Sequence, residues 1–475
     1  MTKTRNESTR LKSTLSIAIV TMFCLVAVTI GFTTSPSADA EWSEDYYFSG
    51  EFPEALSYSQ GVNETEAKVA WSLKGAHGYA IIGQYAYVLH GSGSLSKINL
   101  RDGTVLKTVD AELPINTSYL AVGDGLILDP SSGNVYDLEL EKKYQLEAKS
   151  TQAYCKDGYW YVLGKDRVCH CYSTADEDAS VSDNSQKEIW SSTFIFYIDG
   201  FTLPVSLAFN DKYIFYPGIG ESDTSARVLY CVDKATGVQT DSIEMTDIKN
   251  TYWNSGFIYC EGDKVAVTTH WDNMYAKPRL GDYKTIFLID VGSDGKFVKD
   301  SASYLSNGYD DSYGSCLVMV DGLGFIQTGQ SFKVFDMKTL KIIATTEVDS
   351  RLGKTYSNIA VAVGDDGKVR GYVSPAGVPN PLTPTDGLIC FEYDKKTNEI
   401  RTFDLPVGEA ISDNTNTIKI GQQGEVLFAK NNNVLYCIIG DEREEPSDDN
   451  STVVWIILAG LGILVGALIC VELKQ

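Results

Sequence analysis

Histidine is scarce in this chain of 475 residues: there are four, His77, His90, His170 and His270. No two stand at metal-ligand spacing, and none sits beside an obvious nucleophile. The Gly-x-Ser-x-Gly elbow of the α/β-hydrolases is missing as well. These absences remove the commonest signatures of hydrolytic and zinc chemistry. Basic residues are short too, with 40 Lys and Arg against 63 Asp and Glu and a formal net charge of −23. Such a surface repels nucleic acid and anionic lipid. Between residues 68 and 440 no long amphipathic helical pattern appears, which argues against a helical body.

What the sequence does have is a repeated phrase. An apolar run, a Gly/Asp turn, a second β-rich run, a third and a polar turn recur eight times. The phrases start at Tyr79, Leu120, Ala153, Leu207, Ile258, Leu317, Ile359 and Ile418. The step is about 48 residues, within the range of propeller blades. Tyrosine is abundant (28 residues) and Thr, Val and Ile fill the runs, as half-buried strands require. The first phrase divides into strands at Tyr79–Ile82, Tyr85–His90, Leu95–Asn99 and Val105–Val109, with Asp102-Gly103 as a tight-turn signal. The last yields only three, Ile418–Ile420, Glu425–Ala429 and Val434–Ile439. An open edge there would invite aggregation. The run Lys68–Leu73 precedes the first blade with no sheet of its own and can close the ring. The expected fold is an all-β, eight-bladed β-propeller over residues 68–440, with seven blades as the alternative.

The turn between third and fourth strands recurs as Tyr230-Cys-Val-Asp-Lys-Ala-Thr-Gly237, Phe335-Asp-Met-Lys-Thr-Leu340 and Phe391-Glu-Tyr-Asp-Lys-Lys-Thr-Asn398. This pattern resembles the quinoprotein-like (PQQ-like) β-propeller superfamily, over about residues 68–440. The resemblance implies eight blades and a role either as a dehydrogenase or as a scaffold for envelope proteins. Quinone-dependent members commonly have adjacent cysteines beneath the cofactor and Trp–Gly docking motifs between blades. Here Cys169-His-Cys171 replaces adjacent cysteines, and the seven tryptophans do not follow the repeat. No cofactor is therefore expected, with PQQ left open. Calcium is left open at Asp176-Glu177-Asp178 or Asp310-Asp311, neither of which forms a full calcium-loop pattern.

The two ends point to a membrane. Lys3, Arg5, Arg10 and Lys12, the apolar stretch Leu15–Phe32 and Ala38-Asp39-Ala40 together read as a secretory signal over residues 1–40. An uncleaved anchor is the other reading. Residues 41–67 form an acidic lead-in, and residues 441–452 a charged stalk. Val453–Val471 carries no charge and is long enough to cross a bilayer as a helix, leaving 472–475 as a cytoplasmic tail. The expected place is the cell membrane, crossed once, with the propeller on the extracytoplasmic side.

Ten cysteines occur. Cys231, Cys390 and Cys437 share one repeat position and read as small core residues. Cys155, Cys169 and Cys171 belong to one blade, where a bridge from Cys155 to Cys169 or Cys171 competes with free thiols and, third, with a metal. His170 points away from its two neighbours on a strand, which weakens the metal.

In a propeller, blade-to-blade loops and second-to-third-strand loops share one face. Here the long ones are Pro217–Ala226, His270–Tyr283, Ser374–Gly387, Trp190–Pro204, Thr246–Gly256 and Tyr304–Ser315. They carry the candidate ligand-binding residues Trp253, Trp271, Asp272, Tyr309, Asp310 and Asp311. Aromatics beside carboxylates suit sugars, cationic ligands or a peptide, so the expected partner is an extracellular protein, peptide or carbohydrate. The expected function is a membrane-anchored ligand-binding or protein-scaffolding module without catalysis or nucleic-acid partners. The alternatives are a quinone-dependent dehydrogenase or other propeller enzyme, and an envelope assembly factor.

Overall fold

In the computed structural model the repeat resolves into eight sheets, each built on an antiparallel meander of four consecutive strands except the last, which has three of its own. The structure describes residues 54–56 and most of 61–440. It leaves out residues 1–53 and 441–475, and within the ring 112–119, 176–187, 196–206, 246–255, 270–285, 306–316, 353–358, 374–384 and 412–417, besides shorter pieces. The signal, stalk, membrane segment and tail thus lie outside the described residues. Among those described, no helix is long and apolar enough to cross a membrane.

Blade 1 comprises Ala76–Ile82, Tyr85–His90, Ser94–Asn99 and Val105–Asp110, close to the ranges read from the sequence. Blades 2 to 8 begin with the strands Ala121–Gly123, Ala153–Lys156, Ala208–Phe209, Gly256–Glu261, Val318–Val320, Ile359–Val363 and Ile418–Ile420. These first strands neighbour one another around the ring, so they are the inner strands. Eight sheets exclude the seven-bladed alternative. Lys68–Lys74 pairs antiparallel with Val434–Ile439, placing Lys68 opposite Ile439 and Lys74 opposite Val434. The strand just before blade 1 thus supplies the outer strand of blade 8, as the missing fourth strand demanded.

Each sheet buries both faces by stacking on its neighbours, so the core lies at the joints. Joint 3–4 packs Tyr154, Tyr161, Cys169, Cys171 and Phe194 against Leu207, Ile214, Tyr216 and Tyr230. Phe194, Tyr216 and Tyr230 form a ring stack, with centroids 4.3 Å and 4.9 Å apart. Inner and middle strands are mostly buried, whereas outer strands such as Val105–Asp110 and Glu188–Thr193 alternate between exposed and half-buried. That alternation is expected where a sheet has one edge in water.

Part of the lead-in forms a strand. Glu54–Leu56 pairs in parallel with the inner strand of blade 7, Glu54 opposite Ala360 and Leu56 opposite Ala362. Blade 7 therefore has five strands, and the fifth lies on its inner edge.

The cysteine bridge proposed within blade 3 is corrected by the sheet's two faces. Cys155 pairs with Trp160 and Trp160 with Tyr172, so these face blade 2. Cys169 and Cys171 face blade 4. All three are buried free thiols. Cys171 stands opposite Trp190 as Cys437 stands opposite Trp71, Cys231 opposite Asp241 and Cys390 opposite Phe403. It thus belongs to the same third-strand core position as Cys231 and Cys437, whereas Cys390 lies two residues further from the turn and Glu392, opposite Arg401, takes the equivalent place in blade 7.

Candidate functional site

A meander places its first-to-second and third-to-fourth turns at one end of the strands and its remaining connections at the other. The ring therefore has a turn face and a loop face. Except in blade 3, whose third strand Val168–Ser173 and fourth strand Glu188–Thr193 are 14 residues apart, the turn face is built from short, self-satisfied hairpins. In the third-to-fourth turns of blades 1, 4, 6 and 7, an acidic or amide side chain accepts from backbone N–H groups two or three residues on. Asp336 Oδ1 does so from Lys338 and Thr339, both at 2.8 Å, and Asp394 Oδ1 from Lys396 at 2.7 Å and Thr397 at 3.2 Å. The fourth residue after the acid or amide then takes a positive φ: Gly103 (71°), Gly237 (70°), Leu340 (56°), Asn398 (58°). This is why Gly or Asn recurs there.

The same turns receive the preceding blade. The outer-strand residue opposite the core cysteine position reaches the next blade's turn at five successive joints. Trp71 Nε1 donates to the Leu100 carbonyl at 2.8 Å, and Lys107 Nζ to the Glu139 carbonyl at 2.5 Å. The Tyr144 hydroxyl donates to the Thr174 carbonyl at 2.9 Å, and Trp190 Nε1 to the Lys234 carbonyl at 3.1 Å. Asp241 Oδ2 accepts from the Phe297 N–H at 2.8 Å. The tryptophan rings also lie on the turn glycines. A Cβ on Gly103 would stand 2.6 Å from Trp71 Cγ, and one on Gly237 would stand 2.5 Å from Trp190 Cε3. Two tryptophans thus do follow the repeat, contrary to the sequence reading. The position is constant while the residue changes among Trp, Lys, Tyr and Asp, and residue counting misses that. Ion pairs between blades add to these ties: Lys97 with Glu139, Lys234 with Asp157, and Lys395 with Asp321.

The loop face is different. Trp253, Trp271, Asp272, Tyr309, Asp310 and Asp311 lie outside the described residues. The strands that carry their loops are described, and all three loops are rooted on blade 5. Residues 246–255 lead into its inner strand Gly256–Glu261. Residues 270–285 join its second strand, Lys264–Thr269, to its third, Ile286–Val291. Residues 306–316 leave its outer strand, Phe297–Leu305. Two roots are tied: the Leu317 N–H donates to the buried Thr268 hydroxyl at 3.0 Å. Beneath them lies an apolar base of Ala266, Ile286, Leu288, Leu317 and Met319. The strand ends trim the sequence-read loops elsewhere. Pro217 lies in Tyr213–Ile219, Trp190 in Glu188–Thr193, Tyr304 in Phe297–Leu305 and Gly387 in Thr385–Asp394, because strand pairing continues through them.

The described histidines have structural partners. His90 Nε2 bonds the Ser96 hydroxyl at 2.8 Å, and Ser96 bonds Thr108 at 2.8 Å. Burial, with His77 nearby, pushes His90 below its ordinary pKa. Ser96 is itself buried, so the pair offers no exposed nucleophile. His170 Nδ1 pairs with Glu188 at 2.5 Å. Burial pushes the Cys171 thiol up to about 12 and Cys231 up to about 11, which suppresses the reactive thiolate. Among the described residues no three His, Cys, Asp or Glu side chains converge as metal ligands.

One buried charged cluster escaped the sequence reading. In blade 7, Glu392 accepts from Lys368 at 2.8 Å, from Arg370 at 3.0 Å and from Arg401 at 3.1 Å. Arg370 also bonds Asp366 at 2.7 Å, and Arg401 reaches Glu64 of the lead-in. Arg370 and Glu392 are 4% and 5% exposed, so they are charges inside the protein. Burial raises Glu392, yet Lys368, Arg370 and Arg401 together hold it below the usual carboxylate range. The available signal was charge at interior strand positions, in Lys368-Val-Arg370 and Phe391-Glu392-Tyr393.

No protein-family model and no curated protein matches the chain. Among solved structures, BamB from Moraxella catarrhalis is similar at 10% identity and a TM-score of 0.47, covering 78% of this chain and 99% of its own. The computationally designed protein Ika8 is similar at 12% identity and a TM-score of 0.49, covering 80% and 99%. Sqt1 from Saccharomyces cerevisiae is similar at 10% identity and a TM-score of 0.47, covering 80% and 100%. The eight-bladed architecture rests on the strand pairing described above.

Proposed function

We propose that this chain is a non-catalytic propeller of the quinoprotein-like type, held at the cell membrane by its C-terminal helix. It binds an extracellular protein, peptide or carbohydrate on its loop face. The observation that supports this reading most is the division of labour between the two faces. On the turn face, acids, amides, lysines and tryptophans are committed to hairpins and to ties between blades. On the loop face, three long loops bearing Trp253, Trp271, Asp272, Tyr309, Asp310 and Asp311 are rooted together on one rigid blade. Long loops on a stiff scaffold are where binding concentrates. Membership of the quinoprotein-like superfamily is supported by the recurrent third-to-fourth turn and by the tryptophan–glycine docking at joints 8–1 and 3–4.

The test uses the intact protein in solubilised membranes and any partner it retains by pull-down, or a carbohydrate array. Trp271→Ala is expected to weaken that binding by at least about 1 kcal/mol, as loss of an aromatic anchor does. Lys338→Ala, on the turn face, is expected to leave it unchanged. Loss with Lys338→Ala and none with Trp271→Ala would move the site to the other face. Turnover after reconstitution with PQQ would replace the proposal with the dehydrogenase reading.

A further inference from the structure

We infer that the described residues 54–56, 61, 62, 64 and 65 belong to a strap that fastens the ring a second time, at blade 7 and its joint with blade 8, independently of the closing strand Lys68–Lys74. Four observations lie along it in chain order. Glu54–Leu56 adds a parallel strand to the inner edge of blade 7 and also neighbours the inner strand of blade 6. Gly61 then lies against the first hairpin of blade 8, where a Cβ on Gly424 would stand 3.0 Å from the Gly61 carbonyl oxygen. Val62 is 1% exposed, and the Tyr372 hydroxyl holds it twice, accepting from its N–H at 2.6 Å and donating to its carbonyl at 2.9 Å. Finally Glu64 pairs with Arg401 on the outer strand of blade 7, which in turn holds Glu392. The segment therefore crosses the blade from its inner edge to its outer edge before it enters blade 8.

The physical case is one of satisfied groups. A buried backbone N–H and carbonyl without partners would cost as much as lost hydrogen bonds. Tyr372 supplies both at Val62, and its own hydroxyl is buried with them. The neighbours of Gly61 in space include Tyr372 and Ala362 of blade 7 and Gly424 of blade 8, so the strap bridges the joint. Gly61 has a φ of 65° and its Cβ position is filled by Tyr372, so glycine is the residue this crossing needs. The blade so braced carries the longest strands of the ring, Thr385–Asp394 and Glu399–Ile411, whose far ends rise on the loop face. A fixed base under that hairpin is what the strap supplies.

The test is hydrogen exchange on the full-length protein, read separately for Ile359–Val373 in blade 7 and for Tyr85–Asn99 in blade 1. In one variant, residues 54–62 are replaced by Gly and Ser at unchanged length, leaving the closing strand intact. In a second, Tyr372→Phe keeps the ring and removes both bonds to Val62. A control, Tyr393→Phe, removes a hydroxyl that bonds Asn398 on the other side of the same blade. The expected result is exchange at least roughly tenfold faster in blade 7 for the first two variants, with blade 1 unchanged and the control like the parent. Parent-like exchange in blade 7 for both strap variants would overturn the inference. So would equal acceleration in all blades, or a control that matches Tyr372→Phe. If the replacement does not fold, Tyr372→Phe against the control decides alone.

Discussion

Joints 3–4 and 7–8 do the same job with opposite chemistry. At joint 3–4 the sheets meet through stacked rings and thiols, and its ion pair, Lys234 with Asp157, lies at the turns. At joint 7–8 the facing side of blade 7 carries Arg370, Tyr372, Cys390 and Glu392, with Val62 set against them. Apolar packing is tolerant in composition and demanding in volume. A buried ionic cluster is demanding in pairing, because removing one member leaves another charge desolvated. An apolar joint needs only two blades. The charged one can also take in a third piece of chain, since Arg401 offers donors to both Glu392 and Glu64.

Removing volume from the apolar joint should have the largest effect. Tyr216→Ala deletes the middle ring of the stack and is expected to cost about 4 kcal/mol, independent of salt, by urea denaturation. A cost below about 1 kcal/mol would mean that the joint is not close-packed. Breaking the charged joint comes next. Glu392→Gln leaves Lys368 and Arg370 without their shared anion, and about 3 kcal/mol is expected. Replacing the group with a neutral isostere at no cost would show that the cluster is idle.

Acid should separate the two joints more gently. Hydrogen bonding from Arg401 holds Glu64 below its ordinary value. Asp366 and Glu392 are held down by their cationic partners against burial. Groups with depressed folded pKa values contribute stability that is fully present above their unfolded values, 4.5 for Glu and 3.8 for Asp. That contribution is lost as pH falls through the folded values. Exchange at joint 7–8 should therefore rise below about pH 4 while the apolar interior of joint 3–4 holds. Simultaneous opening would make the contrast chemical but not mechanical.

The docking position gives a smaller and more even test. Trp71→Phe and Trp190→Phe each lose one hydrogen bond to the next blade's turn and should cost about 1 kcal/mol apiece. A much larger loss at Trp71 would mean that ring closure depends on this contact more than an internal joint does. The smallest effect is expected at Lys395→Ala, which removes an exposed pair with Asp321 and should cost under about 1 kcal/mol, vanishing in high salt.

The blades were legible because a propeller repeats its hydrogen-bonding grammar locally. Tyr85–His90, Val105 and Ile418–Ile420 could be placed from alternation and from Gly/Asp turns alone. The closing strand was legible from a deficit, the three-stranded last phrase. The strap was not. Glu54–Leu56 has no alternation to read, and its partner in blade 7 lies some three hundred residues on in the chain. Local pattern carries no information about that distance. Loop composition alone points to the candidate binding residues, which lie outside the described residues.

By itself, the sequence determined the blade repeat, the strands within it, the closure through Lys68–Lys74 and the two faces, while the eight sheets of the structure decided between eight blades and seven. Each follows from the period of apolar residues and from turn chemistry within a few residues. Tertiary structure alone decided which face of blade 3 each cysteine meets. It alone showed that Trp, Lys, Tyr and Asp share one docking position, and it alone gathered Glu64, Arg370, Glu392 and Arg401 into one cluster. These depend on which blade lies beside which and on the register across each sheet. A shift of one residue in that register would turn every one of those side chains to the other face.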